Sequence, residues 1–416
     1  MSFRAVTDLA LEDDVYAEGW QTWSDVRIHR AGETSARAAS ERDQLVLFRP
    51  GKPVPASVIQ AEGVLAVASA DGPARAWFSP RPSREVATLR LAKRRGRMEL
   101  TVDGEVEELE ADGLDGALAA VGERLRIPQV RSIPPGWCSW SYYFKDLTED
   151  DVVENAEAAR RLDVPVEIVQ VDDGYEVEIG DWLDVKREFG SLRRMADRIT
   201  AAGMRPGIWI PPFMVSPTSA LARQHPDWLV AGADAGAHWG KVMRILDVTK
   251  PAAAEYVQHV FRTFAGWGYT YFKLDFLYAA AIPGIDHYRH GMLLIREAVG
   301  PDAIVLIGGA PLLPSIGLCD AMRVGPDVLP ETANPQLDLH HALRITRLRS
   351  WMNGRLWVND PDCLVARPEI KAREAWAAHL MGYGGVRFSS DRIAALDERG
   401  LELTRRFISG ARLTPA

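Results

Sequence analysis

The stretch 269–278, YTYFKLDFLY, places two charged side chains inside a run that is otherwise mostly aromatic or aliphatic. Burying a charge costs free energy unless the charge is paired or used. In a strand, Tyr271, Lys273 and Asp275 share one face, while the apolar residues between them share the other and pack on helices. We expect the ammonium of Lys273 to lower the pKa of Asp275 and keep it ionised. A fixed, ionised carboxylate is what covalent catalysis by aspartate requires.

A second group of this kind lies in MRVGPD, residues 322–327. Arg323 and Asp327 have the same parity along a predicted strand, and Gly-Pro ends that strand just before Asp327. Two carboxylates on different strands, in a mouth lined by tryptophans, favour glycoside hydrolysis. One acts as nucleophile and the other as acid/base, about 5–5.5 Å apart if the anomeric configuration is retained.

Aspartates also follow other apolar runs of the second part of the chain. They are Asp146, Asp172, Asp173, Asp247, Asp360 and Asp362. Aspartate is a favoured helix N-cap, and this explanation is as good as a functional one for Asp146 and Asp247. It is a weak explanation for Asp275, because Phe276 and Leu277 follow it instead of a helix start.

Two domains must position these residues. The first, residues 1–130, has short runs separated by Gly, Pro and Asp-Gly, which predicts a small, mainly β, sandwich-like domain. Its predicted strands are 44–50, 64–70, 74–80, 85–92 and 97–104, followed by a helix at 113–125 and a linker at 127–136.

The second domain, residues 131–416, alternates apolar runs with amphipathic helices. The runs are 136–140, 166–173, 205–212, 242–249, 269–276, 303–309, 320–327 and 355–362. Helices are predicted at 148–162 and 250–268, and a last one within the segment ALDERGLELTRRFISGARL. Eight strand–helix units over about 250 residues predict an α/β fold, the (β/α)₈ TIM barrel, with its site at the carboxyl ends of the strands. A doubly wound open sheet is the alternative, but no Gly-x-Gly-x-x-Gly follows the first strand.

Composition excludes several classes of function. The net charge of −8 and the absence of a basic stripe argue against nucleic acid as a partner. Glycine and proline interrupt the uncharged stretch 303–319, so we expect no membrane span. Three scattered cysteines and an N-terminus without a signal-like apolar core predict a cytoplasmic location. The histidines lack ligand spacing, and we expect neither a metal nor a cofactor.

Seven segments, in order over roughly 136–391, resemble glycoside hydrolase family 36, the α-galactosidase family, which is similar in fold and mechanism to family 27. The segments are GWCSW, VDDGYEVEIGDW, GIWIPPFMVS, HPDWLV, YFKLDFLYAAAIPG, GAPLLPSIGLCDAMRVGPD and WVNDPDCLVAR. The resemblance implies a retaining α-glycosidase that removes terminal α-D-galactosyl residues, with an α-galactoside oligosaccharide as its substrate. A homo-oligomer is compatible with it.

The resemblance also implies roles for individual residues. Asp275, in the Lys-x-Asp motif of the fifth strand, is the nucleophile, and Asp327 is the acid/base. The implied sugar-binding residues are Asp172 and Asp173 at the 4- and 6-hydroxyls, Lys273 and Arg323 near the scissile bond, and Trp209 and Trp140 along the subsite. A tryptophan of the first domain often caps the pocket in this family, and of Trp20 and Trp23 we favour Trp20.

Two departures from the family pattern leave alternatives open. Gly308 stands where a cysteine near the sugar's C2 substituent is common, so a 2-acetamido sugar, and thus an α-N-acetylgalactosaminidase, becomes an alternative. The chain ends at Ala416 without an evident C-terminal β-sandwich, which places oligomer contacts and aglycone subsites in doubt.

Three further readings compete with hydrolysis. A raffinose-synthase-like transglycosidase would use the same residues with a sugar acceptor. A Mg²⁺-dependent enzyme that abstracts a proton α to a carboxylate can also use aspartates at strand ends. A sugar-binding paralogue without catalysis is the non-enzyme alternative, and the presence of Asp275, Asp327, Lys273 and Arg323 together argues against it.

Overall fold

The first part of the chain forms two antiparallel sheets. A computed structural model describes residues 2–6, 9–69, 72–328, 339–383 and 385–410. The strands are β1 Ser2–Val6, β2 Asp14–Ala17, β3 Arg27–Arg30, β4 Ile59–Glu62, β5 Val64–Ala68, β6 Ala74–Phe78, β7 Thr88–Arg94, β8 Arg97–Asp103 and β9 Glu107–Ala111. One sheet has the order β1-β8-β7-β4 and the other β3-β2-β5-β6-β9. The expected mainly β character of this part is confirmed.

Four of the five predicted strands in this part overlap observed ones, and Ala70, at the end of the run 64–70, lies outside the described residues. The strand predicted at 44–50 is wrong, because this segment is helix α1, Glu41–Leu47. Ser40 caps it by accepting the Asp43 N–H at 3.1 Å, which satisfies one of the free donors of the first turn. Helix α2, Gly113–Leu125, has the predicted bounds.

The second part is built around a parallel sheet. Its strands are β10 Gly136–Cys138, β11 Ile168–Val171, β12 Arg205–Ile210, β13 Met214–Val215, β14 Ala237–His238, β15 Lys241–Val242, β16 Arg244–Ile245, β17 Tyr271–Leu274, β18 Ile304–Ile307, β19 Ala321–Arg323, β20 Val358–Asp360 and β21 Phe388–Ser389. Eight of them form one sheet in the order β20-β19-β18-β17-β12-β11-β10-β21. Seven of the eight predicted strands are confirmed.

The strand predicted at 242–249 is wrong. This segment contains β16, which pairs antiparallel with β13 and does not join the parallel sheet. Strands β13 to β16 all lie in the segment between β12 and β17, which we call the excursion. The eighth strand is β21, a two-residue strand that pairs with β10. Asp275 therefore follows the fourth strand of the sheet, not the fifth, and Asp327 follows the sixth, not the seventh.

Helices alternate with the strands of the sheet. They are α3 Trp140–Tyr143, α4 Glu149–Arg161, α5 Leu192–Ala201, α6 Ala220–Gln224, α7 Pro251–Gly266, α8 Tyr278–Ala281, α9 Ile285–Val299, α10 Leu339–Leu348, α11 Arg373–Tyr383 and α12 Glu398–Ser409. Helix α4 begins with a capping box of Thr148 and Asp151 and agrees with the helix predicted at 148–162. The last predicted helix corresponds to α12, and its final residues, 411–413, lie outside the described part.

Each of the two edge strands, β20 and β21, contacts a residue that flanks the other. The Val386 N–H donates to the Asn359 carbonyl at 2.9 Å, and Leu364 forms a parallel bridge with Ser389. No helix of the described residues is both long and apolar enough to cross a membrane.

Candidate active site

Asp275 lies immediately after β17, and two hydrogen bonds fix its carboxylate. Oδ2 accepts the indole N–H of Trp209 at 3.0 Å, and Oδ1 accepts the backbone N–H of Phe276 at 2.8 Å. Phe276 has a φ of +52°, a left-handed conformation that is unusual for a bulky residue. The β12–β17 register explains the Trp209 contact, because Trp209 lies opposite Lys273.

Lys273 lowers the pKa of Asp275 as expected, but the pKa is raised overall. Burial raises the pKa of Asp275 and the charge of Asp327 adds to this, so the lysine's opposing effect is outweighed. Lys273 donates instead to Asp172 Oδ2 at 2.7 Å. Burial lowers the pKa of Lys273, but Asp172 more than compensates and the ammonium stays charged. Lys273 is therefore a shared cation of the site whose direct partner lies on β11.

Asp327 lies four residues beyond Arg323, which ends β19, and it is held from two sides. Arg323 donates to its Oδ1 at 2.9 Å, and the indole N–H of Trp140 donates to its Oδ2 at 3.2 Å. Its side chain is 38% exposed, so the carboxylate faces the pocket. Burial raises the pKa of Asp327, but the charges of Arg323 and Lys273 outweigh burial and the pKa is lowered.

Arg323 is surrounded by more carboxylates than it can neutralise. The nitrogen that donates to Asp327 lies 3.2 Å from Asp362 Oδ2, and Arg323 Nε lies 4.0 Å from Asp360 Oδ2. This Nε is buried and has no hydrogen-bond partner among the described residues. Burial raises the pKa of Asp362 to about 6, although Arg323 opposes the shift. The sequence indicated Asp360 and Asp362 only as aspartates that follow a strand.

Asp172 and Asp173, at the end of β11, point to different partners. Asp172 Oδ2 accepts from Lys273, from Gln170 at 2.7 Å and from the Cys138 thiol at 3.3 Å. Asp173 Oδ2 accepts the indole N–H of Trp239 at 2.9 Å. The ammonium of Lys145 lies 3.3 Å from the same oxygen. Both aspartates are buried, and Asp172 Oδ1 also accepts the backbone N–H of Asp173 at 2.9 Å.

The aromatic wall of the site includes residues that sequence reasoning missed. Trp239, from the excursion between β12 and β17, packs against Phe276 with ring centroids 4.9 Å apart and lies 6.4 Å from Trp209. Lys145, in the loop after α3, places its ammonium 5.1 Å from the Trp239 ring centre. The positions of Trp239 and Lys145 along the chain do not indicate that they lie near Asp275. Trp239 reaches the site only because the excursion carries it to this place in the fold.

Trp23, and not Trp20, is the tryptophan of the first domain that reaches the site. Trp23 lines a cavity of ≈ 230 Å³ together with Asp327, Phe276 and helix α1, and its ring centroid lies 5.2 Å from that of Phe276. Trp20 is only 4% exposed and lies beneath the guanidinium of Arg49, lining a separate cavity. The preference for Trp20 is therefore corrected.

Gly308 packs directly against Asp275. A Cβ placed on Gly308 would lie 2.9 Å from Asp275 Oδ1 and 3.6 Å from Arg323 Cγ. Carbon atoms of real side chains essentially never approach an oxygen so closely, so a larger residue would displace the carboxylate. The glycine thus makes space for Asp275 itself.

Part of this chain is similar in sequence to known proteins. Residues 134–282 match the family model described as Melibiase. Alpha-galactosidase AgaA of Geobacillus stearothermophilus is 30% identical over 146 residues, which cover 33% of this chain and 20% of that protein. An alpha-galactosidase of Escherichia coli is 28% identical over 160 residues, which cover 35% of this chain and 22% of that protein. The matched segments thus span about a fifth of the length of these curated relatives.

Solved structures extend the likeness to almost the whole chain. TtGalA, an alpha-galactosidase from Thermus thermophilus solved with p-nitrophenyl alpha-D-galactopyranoside, superposes with a TM-score of 0.82 at 28% identity. The superposition covers 99% of this chain and 92% of that one. The GH36 alpha-galactosidase AgaA from G. stearothermophilus, with a TM-score of 0.68 at 16% identity over 96% of this chain and 61% of that one, shares the fold. The chain is therefore similar to alpha-galactosidases in sequence over about a third of its length and in fold over almost all of it.

Proposed function

We propose that this protein hydrolyses terminal, non-reducing α-D-galactosyl residues of oligosaccharides or glycosides and retains the anomeric configuration. The observation that carries the proposal is the pair Asp275 and Asp327. The two carboxylates follow different strands, and the charge of Asp327 raises the pKa of Asp275. Each carboxylate accepts an indole N–H, and the charge of a buried cation lowers the pKa of each. Such a pair provides one nucleophile and one acid/base.

In the proposed first step, Asp275 attacks the anomeric carbon from the β face while Asp327 donates its proton to the glycosidic oxygen. The bond to the leaving group breaks, and a β-linked galactosyl ester forms on Asp275. In the second step, Asp327 removes a proton from water, and the water oxygen bonds to the anomeric carbon from the α face. The ester bond breaks, and Asp275 and the proton on Asp327 are regenerated.

The polar residues deeper in the site are suited to recognising galactose. Asp172 and Asp173 present fixed carboxylate oxygens that accept hydrogen bonds from hydroxyls, and Lys273 donates. A buried acceptor that loses its partner costs free energy, so a sugar with the other configuration at C4 leaves one of these groups unpaired. Trp209, Trp239 and Trp23 supply apolar faces for the ring's C–H bonds.

The fold proposal is a closed (β/α)₈ barrel. The hydrogen bond from Val386 to Asn359 and the bridge between Leu364 and Ser389 lie where closure requires contacts between the edge strands. In such a barrel the residues that follow β11, β17 and β19 share one mouth, which is the arrangement that the catalytic pair needs.

The surroundings of Gly308 favour a 2-hydroxyl sugar over a 2-acetamido sugar. The space that the missing side chain leaves is already taken by Asp275 and by Arg323. An N-acetyl group would have to displace one of them. We therefore propose an α-galactosidase over an α-N-acetylgalactosaminidase.

A panel of 4-nitrophenyl α-glycosides tests the proposal, with galactose, N-acetylgalactosamine, glucose and arabinopyranose as the sugars. The purified protein is compared with Asp275→Ala, with and without EDTA. We expect release from the α-galactoside that is lost in the variant and unchanged by EDTA. Release from the N-acetylgalactosaminide alone would reject the assignment of the sugar. Equal release by the variant would reject Asp275 as the nucleophile.

A further inference from the structure

The charge arrangement around Arg323 presents a difficulty for the proposed chemistry. In the free protein the pKa of Asp275 is raised and that of Asp327 is lowered, whereas the nucleophile must be ionised and the acid must carry a proton. The contact that lowers the pKa of Asp327 is its hydrogen bond with Arg323, at 2.9 Å. Some feature of the site must limit this contact.

Asp362 is placed to do so. Its Oδ2 lies 3.2 Å from the same Arg323 nitrogen that donates to Asp327. One NH₂ group therefore faces two carboxylates, and a closer approach to one weakens the attraction to the other. The nearby Asp360 lies farther away, 4.0 Å from Nε.

The backbone holds Asp362 firmly in this position. Its Oδ2 accepts the backbone N–H of Val328 at 2.6 Å, and its Oδ1 accepts that of Cys363 at 2.8 Å. Val328 is the residue after Asp327, so Asp362 also anchors the backbone next to the acid/base. Asp362 has a φ of +89°, a conformation that costs a non-glycine residue on the order of 1–3 kcal/mol and that is retained mainly at functional sites.

We propose that Asp362 is a positioning residue that competes with Asp327 for the Arg323 guanidinium and thereby keeps Asp327 able to donate a proton to the leaving group. This inference rests on the proposed function. Asp362 touches neither the sugar nor the reacting atoms in this account. It acts through Arg323, which it draws away from Asp327, and through its own negative charge, which favours the protonated form of Asp327.

Other charged groups also face Asp327, and the test must separate them from Asp362. They are Arg323, Asp275, Lys273 and Asp360 in the site, and Arg42, Asp43, His238 and His341 around the cavity. None of these is altered in Asp362→Asn, which removes one charge while keeping the size of the side chain. Asp360→Asn removes an equal charge at a greater distance from the shared nitrogen. Asp320→Asn alters a buried carboxylate at the start of β19 that pairs with Arg296 and lies outside the site.

The experiment measures kcat/KM on two α-galactosides. One has a 4-nitrophenolate leaving group, which departs with little protonation, and the other has a sugar leaving group, which needs the acid. We expect Asp362→Asn to lose about tenfold or more activity on the second substrate relative to the first, because one pKa unit corresponds to a factor of ten. Because the pKa of Asp327 is the lower of the two, it sets the acid limb of the pH profile, and this limb should move to lower pH. Asp360→Asn should give a smaller change in the same direction, and Asp320→Asn should leave the ratio unchanged.

Equal losses on both substrates, with an unmoved acid limb, would overturn the role of Asp362 and leave the proposed function standing. A wild-type protein that hydrolyses neither α-galactoside would overturn both. If Asp362→Asn does not fold, Asp362→Glu replaces it, because the longer side chain moves the charge from its present position. The same direction of change is then expected at smaller size, and an unchanged ratio would again overturn the proposal.

Discussion

Two buried arginines of this protein, Arg349 and Arg323, have opposite surroundings. Arg349 is fully buried between the two parts of the chain and faces one carboxylate, that of Glu18, at 2.8 Å. Its remaining hydrogens go to backbone carbonyls, including those of Thr22 at 2.7 Å and Val324 at 2.9 Å. Arg323 faces Asp327, Asp360 and Asp362, and its Nε has no hydrogen-bond partner among the described residues.

The difference separates a structural ion pair from a functional one. Around Arg349 each donor has an acceptor and the charges balance, since Glu18 also accepts from Tyr16 at 2.6 Å. Around Arg323 negative charge is in excess and a donor is unused, which a stable core would avoid. Arg349 also connects the loop that carries Trp23 to the strand that carries Arg323, since it bonds to both Thr22 and Val324. The ion pair of Arg349 and Glu18 therefore helps to position Arg323 and the carboxylates around it.

The largest expected effect is on stability, at Arg349. Arg349→Met leaves the Glu18 carboxylate buried without its partner, which typically costs about 3–5 kcal/mol. Denaturant unfolding of the variant measures this loss. In the double variant Glu18→Gln with Arg349→Met the unpaired charge is gone, so part of the lost stability should return. A loss below about 1 kcal/mol in the single variant would contradict a structural role.

Arg323→Met should show the reverse pattern, with the larger effect on activity. The variant loses a fixed donor at the reacting centre, and such losses commonly lower kcat by about 10²–10³-fold. Its loss of stability should be smaller than that of Arg349→Met, because the carboxylates near Arg323 border a pocket and can take up protons. Activity close to wild type together with a large loss of stability would break the comparison.

The smallest effect is expected from the two indoles that hold the catalytic pair. Trp209→Phe removes a hydrogen bond to the ionised form of Asp275, so its pKa rises further. Because the pKa of Asp275 lies above that of Asp327, the alkaline limb of kcat/KM reports Asp275 and should move to higher pH by about one unit. Trp140→Phe should raise the pKa of Asp327 in the same way and move the acid limb upward instead.

Trp182→Phe is the matched control for these variants. Trp182 is buried outside the site, and its indole N–H has no partner among the described residues. Neither limb should move in this variant. A shift of both limbs in all three variants would show that the indole N–H groups do not act on individual carboxylates.

Seven strands of the parallel sheet could be predicted because each lies in a short apolar run between helical or turn segments. The eighth, Phe388–Ser389, is too short to produce a pattern. The segment 242–249 has the same apolar character as a sheet strand, and only its antiparallel pairing with Met214–Val215 reveals that it lies outside. Helix α1 could have been recognised from Ser40 and Asp43, which have the spacing of an N-terminal cap.

The site residues that directly follow strands could be predicted from the sequence. The partners and positions that depend on contacts between distant segments could not. Alternation along one strand placed Lys273 beside Asp275, but the lysine's direct partner is Asp172 on another strand, which the sequence alone does not indicate. The raised pKa of Asp275 depends on burial, which has no local signal. Trp239 and Lys145 reach the site from an excursion and a loop, and their position follows only from the folded chain.

The most direct test of the catalytic pair is the configuration of the product that azide forms with two variants. In Asp275→Ala, azide can occupy the place of the carboxylate and attack 4-nitrophenyl α-galactoside from the β face. In Asp327→Ala, Asp275 still forms the β-linked ester, and azide then attacks from the α face. We predict β-galactosyl azide from the first variant and α-galactosyl azide from the second, distinguished by proton NMR. The same configuration from both variants would contradict the assigned roles.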